Sequence, residues 1–250
     1  MTSLLPYCGG KQGFFFQGSL QKPLHGVPGA LALHGARAIT VANCTFAHLG
    51  LSGVVSDFGS QDILITGNRF ADLSGSAISV GNVSAPILAP ADQDANMTLS
   101  ENFIRDTGAE YSGCAGIFAG YVAATDIVHN DIADTSNGAV CLGWGWGATN
   151  SMSKNRVVYN RIFRSNTVLY DCGSVYTLSA QPGSEVAFNF IADQVCVTCG
   201  RRPFLRSPGC SRDMVTRLTR VPWLRERDDA QCLLNYFRLQ QWLHYRRLHC

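Results

Sequence analysis

Charged residues are scarce in this chain of 250 residues: they make up 15% of it, against about 25% in an average globular domain. Glycine, with 25 residues, is more frequent than any charged residue type. This balance argues against a mainly helical protein and favours a β-rich or repetitive fold. No run of about 18 apolar residues occurs, so no membrane span is predicted. The first residues lack a basic segment and a long apolar segment, so no signal peptide is predicted either.

The charges are unevenly distributed along the chain. Residues 1–195 carry 9 Lys and Arg against 14 Asp and Glu, whereas residues 196–250 carry 11 Arg against 4 acids, together with five of the ten cysteines. A crude helical pattern runs through residues 228–248. Such a tail could be a helical cap that covers the last coil, a basic element that binds nucleic acid or a membrane, or sequence foreign to the domain, such as a read-through intron or a frameshift. The abrupt change in composition favours the last interpretation, and no nucleic-acid partner is predicted.

The cysteines and histidines of the tail do not indicate a metal site. Their spacings match no common zinc-ligand pattern, so neither a metal nor another cofactor is predicted. The residues concerned are Cys196, Cys199, Cys210, His244, His249 and Cys250.

A repeat of about 30 residues dominates the rest of the chain. Each copy has an apolar residue, then usually Asn, then any residue, then Ile or Phe. Successive copies are 24, 34, 28, 30 and 29 residues apart. The Asn position is occupied by Cys44, Asn68, Asn102, Asn130, Asn160 and Asn189.

Spacing and composition of the repeat predict the fold. One copy supplies two or three short strands with inward apolar residues, separated by Gly, Asn, Asp and Ser turns. A single copy cannot bury its apolar face, but stacked copies form a continuous core. The recurring Asn would then form an internal ladder of hydrogen bonds. We therefore predict an all-β protein: a right-handed parallel β-helix of about six coils over residues 36–195. Residues 1–35 would form a partial coil or cap, and residues 196–250 an irregular or partly helical tail.

Three segments contain aromatic residues and glycines that the fold does not require. They are residues 113–121, residues 143–147 (Gly-Trp-Gly-Trp-Gly) and residues 171–178. Their matching places on three successive coils would bring together the rings of Tyr121, Trp144, Trp146 and Tyr176. Because sugars stack on aromatic rings, we predict a saccharide-binding surface. The alternative is that the two Trp residues merely pack a loop onto the coil.

Asp171 precedes a strand beside this surface and is the candidate catalytic residue. A carboxylate there could serve as nucleophile, base or acid in glycoside chemistry, or it could simply cap a turn. Glu110 and Asp134 are weaker candidates for a partner acid. Turn capping is the expected role of the column four residues after each Asn, formed by His48, Asp72, Asp106, Asp134, Arg164 and Asp193.

Residues 31–194 resemble a group of right-handed β-helix proteins that includes glycoside hydrolases acting on plant polysaccharides, among them an α-L-fucosidase and a xylanase. The more specific motifs are residues 142–147 and the run from Asp171 to Leu178. Further matches are His34 with Ala36 and Arg37, residues 43–50, residues 116–121, residues 129–132 and residues 181–183.

The resemblance implies a polysaccharide or oligosaccharide partner, an extracellular location and a catalytic role for Asp171. A second catalytic carboxylate would be expected on a later coil, where the Arg-rich tail stands instead. The chain therefore resembles the front part of such an enzyme, truncated and without its second acid. Two alternatives stay open: a glycan-binding or adhesin-like β-helix without activity, and a pectate-lyase-like enzyme. A lyase would need a basic residue, for which Lys154, Arg156, Arg161 and Arg164 are the nearest candidates.

Overall fold

The computed structural model describes residues 27–81, 85–144, 149–169 and 173–194, together with the backbone of residues 213–215. The chain winds through three parallel sheets in turn. The first sheet contains β1 (Gly29–His34), β4 (Ser52–Asp57), β7 (Ile78–Val80), β10 (Ile117–Ala119), β13 (Val140–Leu142) and β16 (Val175–Thr177). The second contains β2 (Thr40–Ala42), β5 (Leu64–Thr66), β8 (Thr98–Ser100), β11 (Asp126–Val128), β14 (Arg156–Val158) and β17 (Glu185–Ala187). The third contains β3 (Thr45–Leu49), β6 (Arg69–Leu73), β9 (Phe103–Thr107), β12 (Asp131–Thr135), β15 (Arg161–Phe163) and β18 (Phe190–Ala192).

The predicted parallel β-helix is confirmed, with six coils. Each strand pairs in register with the strand one coil before and one coil after it, so equivalent residues of the repeat stack. In the third sheet the inward column is Phe46, Phe70, Ile104, Ile132, Ile162 and Ile191. Apolar columns from the other two sheets meet it in one continuous core.

The asparagine ladder lies at the corner between the second and third sheets. The Asn130 Oδ1 atom accepts hydrogen bonds from the backbone N of Asn102 at 3.0 Å and from its Nδ2 at 3.0 Å. The Nδ2 of Asn130 in turn donates to Leu99 O at 2.8 Å. The same pattern joins Asn68, Asn102, Asn160 and Asn189, all of them buried. The ladder therefore satisfies backbone groups that the tight turn would otherwise leave without partners inside the protein.

Left-handed backbone recurs at three positions of each coil. One lies at the corner between the first and second sheets, as in Asp62 and Asn96, one is the residue before the ladder position, as in Asn43 and Tyr159, and the last lies at the end of the third sheet. This last position is the charged column predicted to cap turns: His48, Asp72, Asp106, Asp134, Arg164 and Asp193 all have φ between 43° and 57°. Asp and other short polar residues tolerate this conformation better than most, which accounts for their recurrence there.

The two ends of the described solenoid differ from the predicted boundaries in detail. The first strand begins at Gly29, before the predicted start of the β-helix at residue 36. Beyond residue 194 the structure describes only β19 (Asp213–Val215), which pairs antiparallel with β18. The predicted helical segment and the cysteines and histidines of the tail lie outside the described residues. In the described part of the chain, no helix is long and apolar enough to cross a membrane.

Candidate functional site

A second, smaller hydrophobic cluster covers the outer face of the first sheet. Phe118, Cys141 and Tyr176 stand in register on β10, β13 and β16. Their neighbours Ile117 and Val140 belong to the main core, because successive residues of a strand point to opposite faces. Tyr121 and Trp144 pack over this outward column. The structure thus brings together three of the four aromatic residues that the sequence predicts to share a surface.

Two of these rings are buried rather than open to solvent. Tyr121 is 3% exposed and Trp144 is 7% exposed, while Tyr176 is partly exposed. Trp144 meets Phe118 edge to face, with ring centroids 5.8 Å apart. Burial also raises the pKa of the Tyr121 hydroxyl. As placed, Trp144 packs its segment onto the coil, and Tyr176 is the least buried of the three rings.

A tight turn held by Gln181 positions Trp144. Gly143 has φ of 98°, and a Cβ atom there would lie 2.3 Å from Leu178 O, so this turn needs glycine. The buried Gln181 side chain donates from Nε2 to Leu142 O at 3.2 Å and to Leu178 O at 3.1 Å. Gln181 therefore has a structural role, which explains one of the motifs behind the family resemblance.

Asp171 and Trp146 lie outside the described residues, so their predicted roles stay predictions. The residues just after Asp171 are well anchored. Ser174 Oγ lies 2.7 Å from Ser165 Oγ and 2.8 Å from Gln194 Oε1. The strand that follows Asp171 is thus fixed to the preceding coil and to the end of the last one.

The two weaker acid candidates occupy different surroundings. Asp134 lies on the third sheet, where Arg164 donates to both of its carboxylate oxygens at 2.5 and 2.6 Å. This bidentate contact lowers the pKa of Asp134 and engages the residue away from the first sheet. Glu110 is exposed in the segment that leads to β10. Of the two, Glu110 is the one on the route into the first sheet.

Acidic residues that the sequence did not single out lie near the first sheet. Asp57 ends β4, and its Oδ1 contacts His34 Nδ1 at the end of β1. Burial raises the pKa of Asp57, against the opposing effect of His34. His34 and Asp57 are 23 residues apart in the sequence, which is close to one repeat. This spacing could have predicted that the two residues lie side by side on adjacent coils.

A buried carboxyl group stands at the corner between the first and second sheets. Asp94 is 0% exposed, and its Oδ1 accepts a hydrogen bond from Ser60 N at 3.0 Å. Its Oδ2 has no hydrogen-bond partner. Burial raises the pKa of Asp94 to about 7, and Asp57 adds to the effect. Asn155 and Gln181 continue this corner on later coils, where Asn155 Nδ2 donates to Gln181 Oε1 at 3.1 Å.

No group of three or more His, Cys, Asp or Glu side chains among the described residues is arranged to hold a metal ion.

Comparisons with known proteins agree with this architecture. Residues 29–191 match the family model described as a right handed beta helix region. A solved structure described as a glycoside hydrolase is similar, with a TM-score of 0.62 and 28% sequence identity. The match covers 72% of this chain and 33% of that chain, so this chain spans about a third of its length. No curated protein matches the sequence.

Proposed function

Because the chain belongs to the right-handed β-helix family, we propose that it is a carbohydrate-active protein of glycoside hydrolase type. It acts on or binds polysaccharide at the outer face of the first sheet. The observation that carries the proposal is the similarity, at 28% identity, to a solved glycoside hydrolase over 72% of this chain. The cluster of Tyr121, Trp144 and Tyr176 on three adjacent coils supports the choice of this face.

Within this site Tyr176 offers a partly exposed ring to a sugar, and Tyr121 and Trp144 form the floor beneath it. By its place in the sequence, Trp146 is assigned to the same aromatic group. Sugar rings present C–H faces that pack on aromatic side chains, so such a surface binds saccharides with little net charge. Asp171 is assigned as the carboxylate that acts on the bound saccharide.

Hydrolysis of a glycosidic bond needs a second carboxyl group. Among the described acids we assign Glu110 to this role, because it lies in the segment that enters the first sheet at β10 and that segment is held by the coils on both sides. Tyr111 N donates to Ser74 O at 3.0 Å, and Asn137 Nδ2 donates to Gly113 O at 2.9 Å. β10 and β16 are two strands apart in the first sheet, so residues in register on them lie about 10 Å apart, at or just beyond the upper end of the range of roughly 6.5 to 9.5 Å found in inverting enzymes. Glu110 lies seven residues before β10 and Asp171 four residues before β16, so the two acids do not occupy equivalent positions.

In an inverting reaction one of these acids would protonate the leaving oxygen, and the other would remove a proton from the attacking water. The proposal assigns Asp171 and Glu110 to this pair without assigning the two roles.

To test this proposal, the full-length protein is incubated with a panel of plant polysaccharides, and the rate at which it releases reducing ends is measured. We expect Asp171→Asn and Glu110→Gln each to lower the rate at least 100-fold, since general acid–base catalysis contributes about that much. Glu101→Gln is the matched control: Glu101 is an equally exposed acid at the asparagine corner, and its loss should leave the rate unchanged. Equal rates for native protein and Asp171→Asn would contradict the catalytic assignment.

A non-catalytic glycan-binding role is the second candidate. One observation favours it: Asp57 is the only acidic residue on the described strands of the first sheet. In that case the native protein binds polysaccharide without cleaving it, and Tyr176→Ala weakens binding while Asp171→Asn does not. Titration calorimetry beside the reducing-end assay separates the two candidates.

A further inference from the structure

A groove of about 480 Å³ runs along the asparagine corner of the last three coils. One wall is a row of rings at the corner itself, which we name the corner row: His129, Tyr159 and Phe188. The other wall is formed by Phe163 and Phe190 on the outer face of the third sheet. Arg161 lies on β15 between the two walls.

The corner row is a continuous stack. Ring centroids of His129 and Tyr159 are 5.3 Å apart with 11° between the planes, and those of Tyr159 and Phe188 are 5.0 Å apart with 8° between the planes. Rings stacked in this way cover each other's faces and turn their edges to the solvent. Tyr159 is 47% exposed and Phe188 is 49% exposed. The edge of an aromatic ring carries partial positive charge, so this wall favours anionic or oxygen-rich groups over apolar ones.

The fold does not require aromatic residues at these positions. His129, Tyr159 and Phe188 all have left-handed backbone, with φ of 56°, 59° and 57°, a conformation that bulky residues rarely adopt. The same turn is made by Asn43 and Gly67 on the first two coils, at lower conformational cost. The aromatic residues are therefore extra features of the last three coils.

Arg161 is the charged side chain that lines the groove, and it belongs to a group of three charged residues. Asp131 is shared by two guanidinium groups: Arg105 Nη2 lies 2.8 Å from its Oδ1, and Arg161 Nη1 lies 3.1 Å from its Oδ2. Within this group two guanidinium groups face one carboxylate. The Arg161 side chain is 64% exposed, and its guanidinium lies 4.3 Å from the ring centroid of Phe163. A guanidinium placed in this way can bind a carboxylate from solution.

We propose that this groove binds an acidic saccharide, with a sugar carboxylate on Arg161 and the sugar ring between the corner row and Phe163. The site lies at the corner between the second and third sheets and is separate from the face of the first sheet. It goes beyond the proposed function, because binding here requires neither Asp171 nor cleavage of the ligand.

The test uses titration calorimetry of the full chain with a galacturonate hexamer as the probe. Arg161→Gln should weaken binding at least tenfold, and Tyr159→Asn several-fold, since Asn is compatible with the left-handed turn, as Asn43 shows. Arg156→Gln is the matched control: Arg156 is an exposed arginine on β14, outside the groove, paired with Asp126 at 3.3 Å. It should bind like the native protein, as should Asp171→Asn.

Two further probes identify the chemistry of the ligand. The methyl-esterified hexamer has the same sugar rings without the charge and should bind at least tenfold more weakly. A sulfated dextran that binds more tightly than the uronate, with the same dependence on Arg161, would overturn the choice of a carboxylate. Equal affinity of Arg161→Gln and native protein, or equal loss in Arg156→Gln, would overturn the site. Loss of uronate binding only in Tyr176→Ala would also overturn it and place the ligand on the first sheet.

Discussion

Two groups of aromatic side chains lie on different faces of the same solenoid, and they are packed in opposite ways. On the first sheet, Tyr121 and Trp144 are 3% and 7% exposed and cover the outward column of strand residues. At the asparagine corner, Tyr159 and Phe188 are 47% and 49% exposed and pack mainly on each other. Trp144 is one of the two glycine-flanked Trp residues that suggest a ligand surface in the sequence. Its ring is far more buried than the rings of Tyr159 and Phe188 at the corner.

The difference arises from what lies beneath each group. The first sheet presents Phe118 and Cys141 outward, and those side chains lose contact with water only when another segment covers them. Burial of such apolar area is favourable by about 25 cal/mol per Å², so Trp144 is drawn onto the sheet. At the corner the space beneath the rings is already filled by the amide ladder. Rings there have only their neighbours to contact, and half of each stays in water.

The largest effect is expected at Trp144. Replacing it with Ala removes a buried ring that meets Phe118 edge to face, and comparable core truncations cost about 3–5 kcal/mol. We expect a loss of about 3 kcal/mol in the free energy of unfolding. Urea unfolding followed by circular dichroism measures it. A loss below about 1 kcal/mol would mean that Trp144 is not part of a packed cluster, and the contrast between the two aromatic groups would fail.

A second prediction contrasts the corner between the first and second sheets with the asparagine corner between the second and third. Among the described residues of these two corners, a carboxyl group is buried only at the first, where Asp94 lies. Asp94 has a pKa of about 7 in the folded state, against 3.8 for an exposed Asp. Between pH 4 and 7 the folded protein keeps a proton that the unfolded chain releases, so stability falls as pH rises through this window and levels off above pH 7. The slope reaches at most about 1.4 kcal/mol per pH unit. Over the whole window the loss is of the order of 2–4 kcal/mol.

Asp94→Asn should remove this dependence, because the amide imitates the protonated acid and still accepts from Ser60 N. The variant should match the native protein near pH 4 and exceed it in stability above pH 7. Asp62→Asn, at an exposed Asp one coil away in the same corner, is the control and should keep the native slope. Thermal unfolding at a series of pH values measures both. Parallel curves for native protein and Asp94→Asn would show that Asp94 is ionised throughout.

The smallest effect is expected at Tyr159. Its replacement by Asn loses one half-exposed ring contact but relieves the left-handed strain of a bulky residue, and the two changes oppose each other. We expect a change of less than about 1 kcal/mol in either direction, as for most exposed positions. The same urea titration as for Trp144 gives the comparison. A large loss at Tyr159 would mean that the corner row serves stability, and the case for a ligand groove would weaken.

Much of the fold could be predicted from the sequence because each coil repeats the same short pattern of residues. The recurring Asn, the apolar residue before it and the Ile or Phe after it define a turn between two strands, and their recurrence defines the stacking. Asn102 and Asn130 form the ladder that this pattern predicts. The sequence predicts that Tyr121, Trp144 and Tyr176 lie close together, and the structure places them in one cluster, while their role in binding a saccharide stays a prediction. The exposure of each ring could not be predicted, because it depends on what the ring covers.

Other features of the structure could not be predicted from any short stretch of the sequence. Asp94 lies in the 34-residue step between Asn68 and Asn102, the longest between successive repeats, and its burial depends on contacts of this segment with Ser60 and Gly59 on the preceding coil. The pairing of His34 with Asp57 requires the register of β1 on β4. The groove around Arg161 joins residues from two elements and three coils, so no single stretch of sequence displays it.

The sequence by itself determined the parallel β-helix, its six coils and its asparagine ladder, because those depend on residues that recur at a fixed spacing and stack on their own copies. Only the tertiary structure decided which aromatic side chains are covered and which face the solvent, which carboxyl group is buried, and which charged side chain lines a groove. Those properties depend on contacts between coils and on the segments that close over them, where the residues differ from one repeat to the next.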